Sequence, residues 1–204
     1  MIPIRKELLK SGDKILFHTK GFSPISIAIR VLTESFFNHI GGYVEEVGFK
    51  GYVIEALGRG VVKTPIEKYL DNKNYILKVV RLKEEAFKHK GEYNKGLEIS
   101  RQRLYSKIGQ KYDWRALIYL GILYISKSFW KKGAKYLPKR FNPFQGRQQF
   151  FCSELICQCD YGISSKIENL YVGKKYLNAT CSTITPHDIA KSQWVEYLYG
   201  EDKI

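Results

Sequence analysis

Between residues 14 and 81 the chain is written in short β-prone runs separated by glycine and asparagine. This punctuation constrains the fold more than any other feature. The runs 14–18, 39–44, 51–56, 60–63 and 75–81 are rich in Val, Ile and Tyr, and the first follows the turn pair Gly12-Asp13. Runs of that length bounded by turn residues read as strands of an antiparallel sheet or small barrel. Gly41 and Gly42, inside one of them, mark a place where neighbouring groups come close to the backbone. Helical signals take over afterwards. Leu97, Leu104 and Ile108 fall at helical intervals, and 152–157 opens with small and acidic residues. Thr185-Pro186-His187-Asp188 supplies an N-cap, a proline at the first helical position and an acid at the third, with helix-favouring residues continuing to about Tyr199. Strands first and helices after predict an α+β protein, a single domain over residues 1–204.

The 204 residues are 44% apolar and 14% aromatic, which is enough for a packed core and excludes a disordered chain. Four cysteines are too few for a disulfide scaffold of the dense, secreted kind. Cys157, Cys159 and Cys181 read as small buried apolar groups, and the spacing of the first two fits no zinc pair. Neither a metal nor another cofactor is expected. The first ten residues lack the continuous apolar core of a signal peptide, which reads as cytoplasmic, although a chain whose leader had been removed would read the same way.

Net charge is +14, from 34 Lys and Arg against 20 Asp and Glu. Residues 101–150 hold twelve of the bases and one acid, Asp113, so this segment alone carries +11. It also contains the most apolar run, 116–125, which is shorter than the ~18 residues a membrane span needs. That length favours a buried helix. The sharper alternative is a lid or attachment element resting on an anionic membrane or polymer, with Trp114, Phe129 and Trp130 at its ends. Nucleic acid is disfavoured, since no zinc-finger spacing, ribonucleoprotein motif or recognition helix accompanies the charge.

Nucleophilic chemistry needs a nucleophile, a base, and a group to orient the base. Cys152 is the candidate nucleophile because it opens a helix, where aligned peptide dipoles stabilise a thiolate and free amides can hold an oxyanion. On residue type alone a buried structural cysteine is the commoner case. His39 begins a strand after the polar stretch 33–35, and Glu55 lies among Val53, Ile54 and Ala56, where a carboxylate is costly to bury alone. On adjacent paired strands these two would share a face, with Glu55 accepting the imidazole N–H.

The order of blocks resembles a family. Gly12-Asp13-x-Ile15-Leu16-Phe17, Ser35-x-x-Asn38-His39-Ile40-Gly41 and Val53-Ile54-Glu55-Ala56 are followed by Tyr112-Asp113, Phe151-Cys152-Ser153-Glu154-Leu155 and Thr185-Pro186-x-Asp188-x-Ala190-x-Ser192. This series is similar to the circularly permuted papain-like enzymes of the NlpC superfamily, the YiiX/YaeF-like group. The likeness spans residues 12–192, and the histidine preceding the cysteine marks the permuted order. It implies Cys152 as nucleophile, His39 as general base and acid, Glu55 as the orienting member, and Tyr112 as a substrate-pocket residue.

The expected function is a cysteine hydrolase or amidase. Its substrate would be an amide- or ester-bearing peptide, cell-wall or lipid molecule, cleaved through a thioacyl intermediate. A thiol acyltransferase or lipid-directed hydrolase at a membrane surface is the alternative, and a non-catalytic basic binding module a third.

Overall fold

Five of the eight strands among the described residues come from the glycine-punctuated first part of the chain. The computed structural model describes residues 4, 6–20, 30, 35–48, 50–70, 72–115, 118, 149–171, 181 and 184–199. Strands β1 (Lys14–Thr19), β2 (His39–Glu46), β3 (Lys50–Leu57), β4 (Gly60–Pro65), β5 (Tyr75–Leu82) and β8 (Val195–Tyr199) form one antiparallel sheet, in the order β4-β3-β2-β1-β5-β8. That order runs from edge to edge, so this is an open sheet and not a closed barrel. Two-residue strands β6 (Lys111–Tyr112) and β7 (Gln149–Phe150) pair parallel beside it. The helices are α1 (Glu67–Leu70), α2 (Lys90–Lys107), α3 (Cys152–Asp160) and α4 (Pro186–Ala190). The fold class is α+β.

Strand alternation sorts the sheet into two apolar faces. Leu16, Ile40, Val44, Ile54, Val80 and Leu82 form the core on the face covered by α2 and α3. On the other face Ile15, Phe17, Tyr43, Val53 and Val79 pack with Ile66 and Tyr69 around α1. Gly42 explains how the helices come so close: a Cβ there would lie 2.6 Å from Leu104 of α2 and 3.4 Å from Ile156 of α3. The Gly12-Asp13 pair is structural. Gly12 turns with φ of 101°, and Asp13 receives two bonds from Arg81, from Nε at 2.6 Å and Nη2 at 2.8 Å.

Thr185 caps α4 as its sequence implies: its hydroxyl accepts from the Asp188 amide at 3.2 Å while the Asp188 carboxylate accepts from the Thr185 amide at 2.8 Å. The helix does not continue to Tyr199. It ends at Ala190, and Val195–Tyr199 joins the sheet beside β5, with Leu82 opposite Val195 and Val80 opposite Tyr197. The open edge of β5 offers a ladder of backbone partners, which outweighs the modest helix preference of these residues.

The cysteines also depart from expectation. Cys157 and Cys181 are joined in a disulfide that ties α3 to the segment before α4, leaving Cys152 and Cys159 free. Among the described residues no helix is long and apolar enough to cross a membrane. The apolar run 116–125, Ile118 excepted, and the basic stretch up to residue 148 lie outside the described residues. Of the bases before them, Arg101 pairs with Glu98, and Arg103 donates to the carbonyls of Cys159 and Tyr161.

Candidate active site

His39 and Glu55 meet because of sheet register. Gly41 stands opposite Glu55, and His39 lies two residues before Gly41, so imidazole and carboxylate occupy one face on a diagonal. Gly41 has no room for a side chain beside Glu55. A Cβ there would sit 2.3 Å from Val53 Cγ1 and 3.1 Å from Glu55 Cβ. His39 Nε2 donates to Glu55 Oε2 at 2.7 Å. The Cys152 side chain lies close enough to the imidazole to raise its pKa. Cys152 reaches it from the first position of α3, after Phe151 in extended conformation, and amides of a first helical turn have no intrahelical acceptor. The imidazole keeps 17% of its side-chain surface while Glu55 has none.

These contacts set the protonation states. Burial works against a charged imidazole, but the neighbouring Cys152 side chain and the Glu55 hydrogen bond outweigh it and push the His39 pKa up to about 10. For Glu55, burial favours the neutral acid, but the His39 hydrogen bond and charge prevail, aided by Thr64 and Tyr69, and hold the carboxyl below its ordinary range. The pair is poised as imidazolium and carboxylate.

Tyr112 sits close enough to Cys152 to feel its charge. Burial raises the phenol pKa first, and Cys152 and Asp113 add to it. Its ring contacts Trp114 at 4.7 Å, and Trp114 lies over Gly58 in the β3–β4 turn. Glu154, in the first turn of α3, is pushed up to about 7 by burial and by the neighbouring Asp113. The three acidic and thiol-bearing positions near the helix start are therefore not equivalent, and only Cys152 faces the imidazole.

Tyr69 is the site neighbour that the sequence reading missed. It lies on the four-residue α1, and its hydroxyl donates to Glu55 Oε1 at 2.6 Å. A usable signal was present, since Thr64-Pro65-Ile66-Glu67 repeats the Thr-Pro-x-acid pattern of 185–188 and announces a helix start just before it. Among the described residues no group of three or more His, Cys, Asp and Glu side chains is placed to hold a metal ion.

No protein-family model matches the sequence, and no curated protein does. A solved structure does match: metalloprotein YiiX from Escherichia coli O157:H7, with a TM-score of 0.56 and 17% identity over 94% of this chain and 97% of that one. The fold is YiiX-like. The alignment takes in nearly the whole of both chains, so the likeness is one of overall fold.

Proposed function

We propose that the chain is a cysteine hydrolase or amidase working through Cys152, His39 and Glu55. The observation that carries this reading is the imidazole held between a buried carboxylate and a thiol at a helix start. In the first step the Cys152 thiolate forms a bond to the carbonyl carbon of an amide or ester. The carbonyl electron pair moves onto oxygen, which the amides at the start of α3 receive. Collapse breaks the C–N or C–O bond, and the His39 imidazolium gives its proton to the leaving group. Water then attacks the thioester, His39 takes a proton from it, and the C–S bond breaks to release the acid and restore the Cys152 thiolate beside the His39 imidazolium. Glu55 keeps the ring oriented throughout, and Tyr112 lines the pocket.

The order of His39 and Glu55 before Cys152 suits a circularly permuted papain-like enzyme in a single domain. Substrate candidates are a peptide, an isopeptide, a cell-wall stem peptide or an ester. The YiiX neighbour is described as a metalloprotein. Here both Glu55 oxygens are engaged, by His39 and Tyr69, and the described residues assemble no donor set, so no step is routed through a metal. Incubation with an activated ester, followed by mass spectrometry, tests the reading. An acyl adduct on Cys152 that is absent from Cys152→Ala supports it, and an unmodified Cys152 with turnover intact in the variant overturns it.

A second reading, a thiol acyltransferase or lipid-directed hydrolase at a membrane surface, is favoured by the exposed Ile118 (62%) and by Trp114 (44%), which packs on Tyr112. Binding to anionic vesicles that weakens with added salt supports it, and no binding at low salt counts against it.

A further inference from the structure

Glu55 has two oxygens, and the proposed chemistry accounts for only one of them. Oε2 faces His39, while Oε1 accepts from Tyr69 at 2.6 Å. A carboxylate with one free oxygen can rotate about its terminal torsion, which is broad. Any rotation lengthens the bond to the imidazole. A short, buried donor on the far oxygen removes that freedom.

We propose that Tyr69 is a positioning residue of this site, fixing the Glu55 carboxylate so that Oε2 stays on the His39 ring. The inference rests on the Cys152, His39 and Glu55 reading above. Three observations support it. Tyr69 is itself buried, at 5% exposure, and its place is set by edge contacts with Phe17 at 4.8 Å and Tyr75 at 5.2 Å between ring centroids. Phe17 also packs on the His39 ring at 5.1 Å, so one aromatic side chain braces both hydrogen-bonding partners of Glu55. Burial and the Glu55 charge push the Tyr69 phenol well above its ordinary range, so it remains a donor at every pH at which the site would work. The result is a continuous series, Tyr69 to Glu55 to His39 to Cys152, drawn from α1, β3, β2 and α3.

A plainer role exists for the same hydroxyl, namely relieving a buried carboxylate of an unmet acceptor. The two roles differ in what they do to His39. Tyr69→Phe keeps the ring contacts and deletes only the donor. The test is the His39 titration, followed by NMR of the labelled imidazole in the full chain, for wild type, Glu55→Gln and Tyr69→Phe, with thermal melts confirming folding. A positioning role predicts that the wild-type midpoint, near 10, falls by roughly one unit in Tyr69→Phe, about tenfold in proton affinity, and further in Glu55→Gln. A Tyr69→Phe midpoint equal to or above wild type, as loss of a donor from the carboxylate alone would give, with Glu55→Gln lowered, overturns the proposal and leaves the triad standing. An unmoved midpoint in Glu55→Gln overturns both. Rapid Cys152 alkylation tests the triad separately, and its absence with both midpoints lowered removes the nucleophile while sparing the hydrogen-bonded chain. If Tyr69→Phe does not fold, the wild-type chain still decides: the Tyr69 Cζ resonance should follow the His39 titration, and an unchanging resonance overturns the proposal.

Discussion

Among the described residues, two buried polar chains meet α3 and differ in where they end. Beneath α3, Lys14 Nζ meets Asp160 Oδ2 at 2.9 Å, and Asp160 also accepts from Ser100 and Tyr171. All four residues are sealed, and every partner is another member of the group. The other chain runs from Tyr69 through Glu55 and His39 to the buried Cys152, and its imidazole keeps 17% of its side-chain surface in contact with solvent. A closed network spends its hydrogen bonds on holding α3, β1 and the 162–171 segment together. An open one ends on a thiol with a bond still to make. Burying charge is costly in both places, and what separates structure from chemistry is whether the chain of partners terminates inside the protein.

The largest effect should come from the open end. Cys152→Ala should lower turnover roughly 10³–10⁶-fold, as analogous triads do, while urea midpoints stay near wild type. A variant that keeps its activity would erase the distinction between the two chains. The closed network should show the reverse. Asp160→Asn strands the buried Lys14 charge and should cost about 3–5 kcal/mol in urea denaturation, yet leave Cys152 reactive in the fraction that folds. Replacing Lys14 and Asp160 together by apolar residues of similar volume should cost less than either single change.

The disulfide belongs with the closed side. Opening the Cys157–Cys181 bond, 24 residues apart, should lower stability by about 3 kcal/mol in the chain-entropy account. Melts with and without reductant would show it, and Cys152 alkylation should be unaffected. A smaller effect separates the two chains by pH. The raised His39 pKa contributes stability that is full below its ordinary 6.5 and fades as pH rises through about 10. The depressed Glu55 contributes above its ordinary 4.5 and loses that contribution as pH falls through its folded value. The stability gap between wild type and Glu55→Gln should therefore be widest between about 4.5 and 6.5, and a gap constant with pH would contradict the pairing. A modest change is expected at Trp114, where substitution by Ala removes a half-buried ring packed on Tyr112 and should cost about 1 kcal/mol in urea denaturation.

What could be read from the sequence was local or periodic. The start of α4 is a capping box, complete within Thr185 to Asp188, and the first five strands are marked by glycine turns and alternation. His39 and Glu55 could be paired in advance because two neighbouring strands with period-two side chains leave few registers that bury both polar groups together. What the sequence hid depends on distant partners. β8 exists because β5 has an open edge more than a hundred residues earlier in the chain. Cys157 carries no local sign that its partner is Cys181 and not Cys159, and Tyr69 is one of 15 tyrosines until α1 folds over the sheet and brings it to Glu55.

Two free cysteines on one helix test the central claim most directly, since one lies on each side of the comparison. Cys159 is fully buried beside Asp160, and burial and that charge push its thiol up to about 12. Cys152 faces an imidazolium. Brief treatment with iodoacetamide at pH 6, with peptide mapping of the non-reduced chain, should carboxamidomethylate Cys152 and spare Cys159. Slow labelling of both at equal rates, or of Cys159 first, would contradict the account.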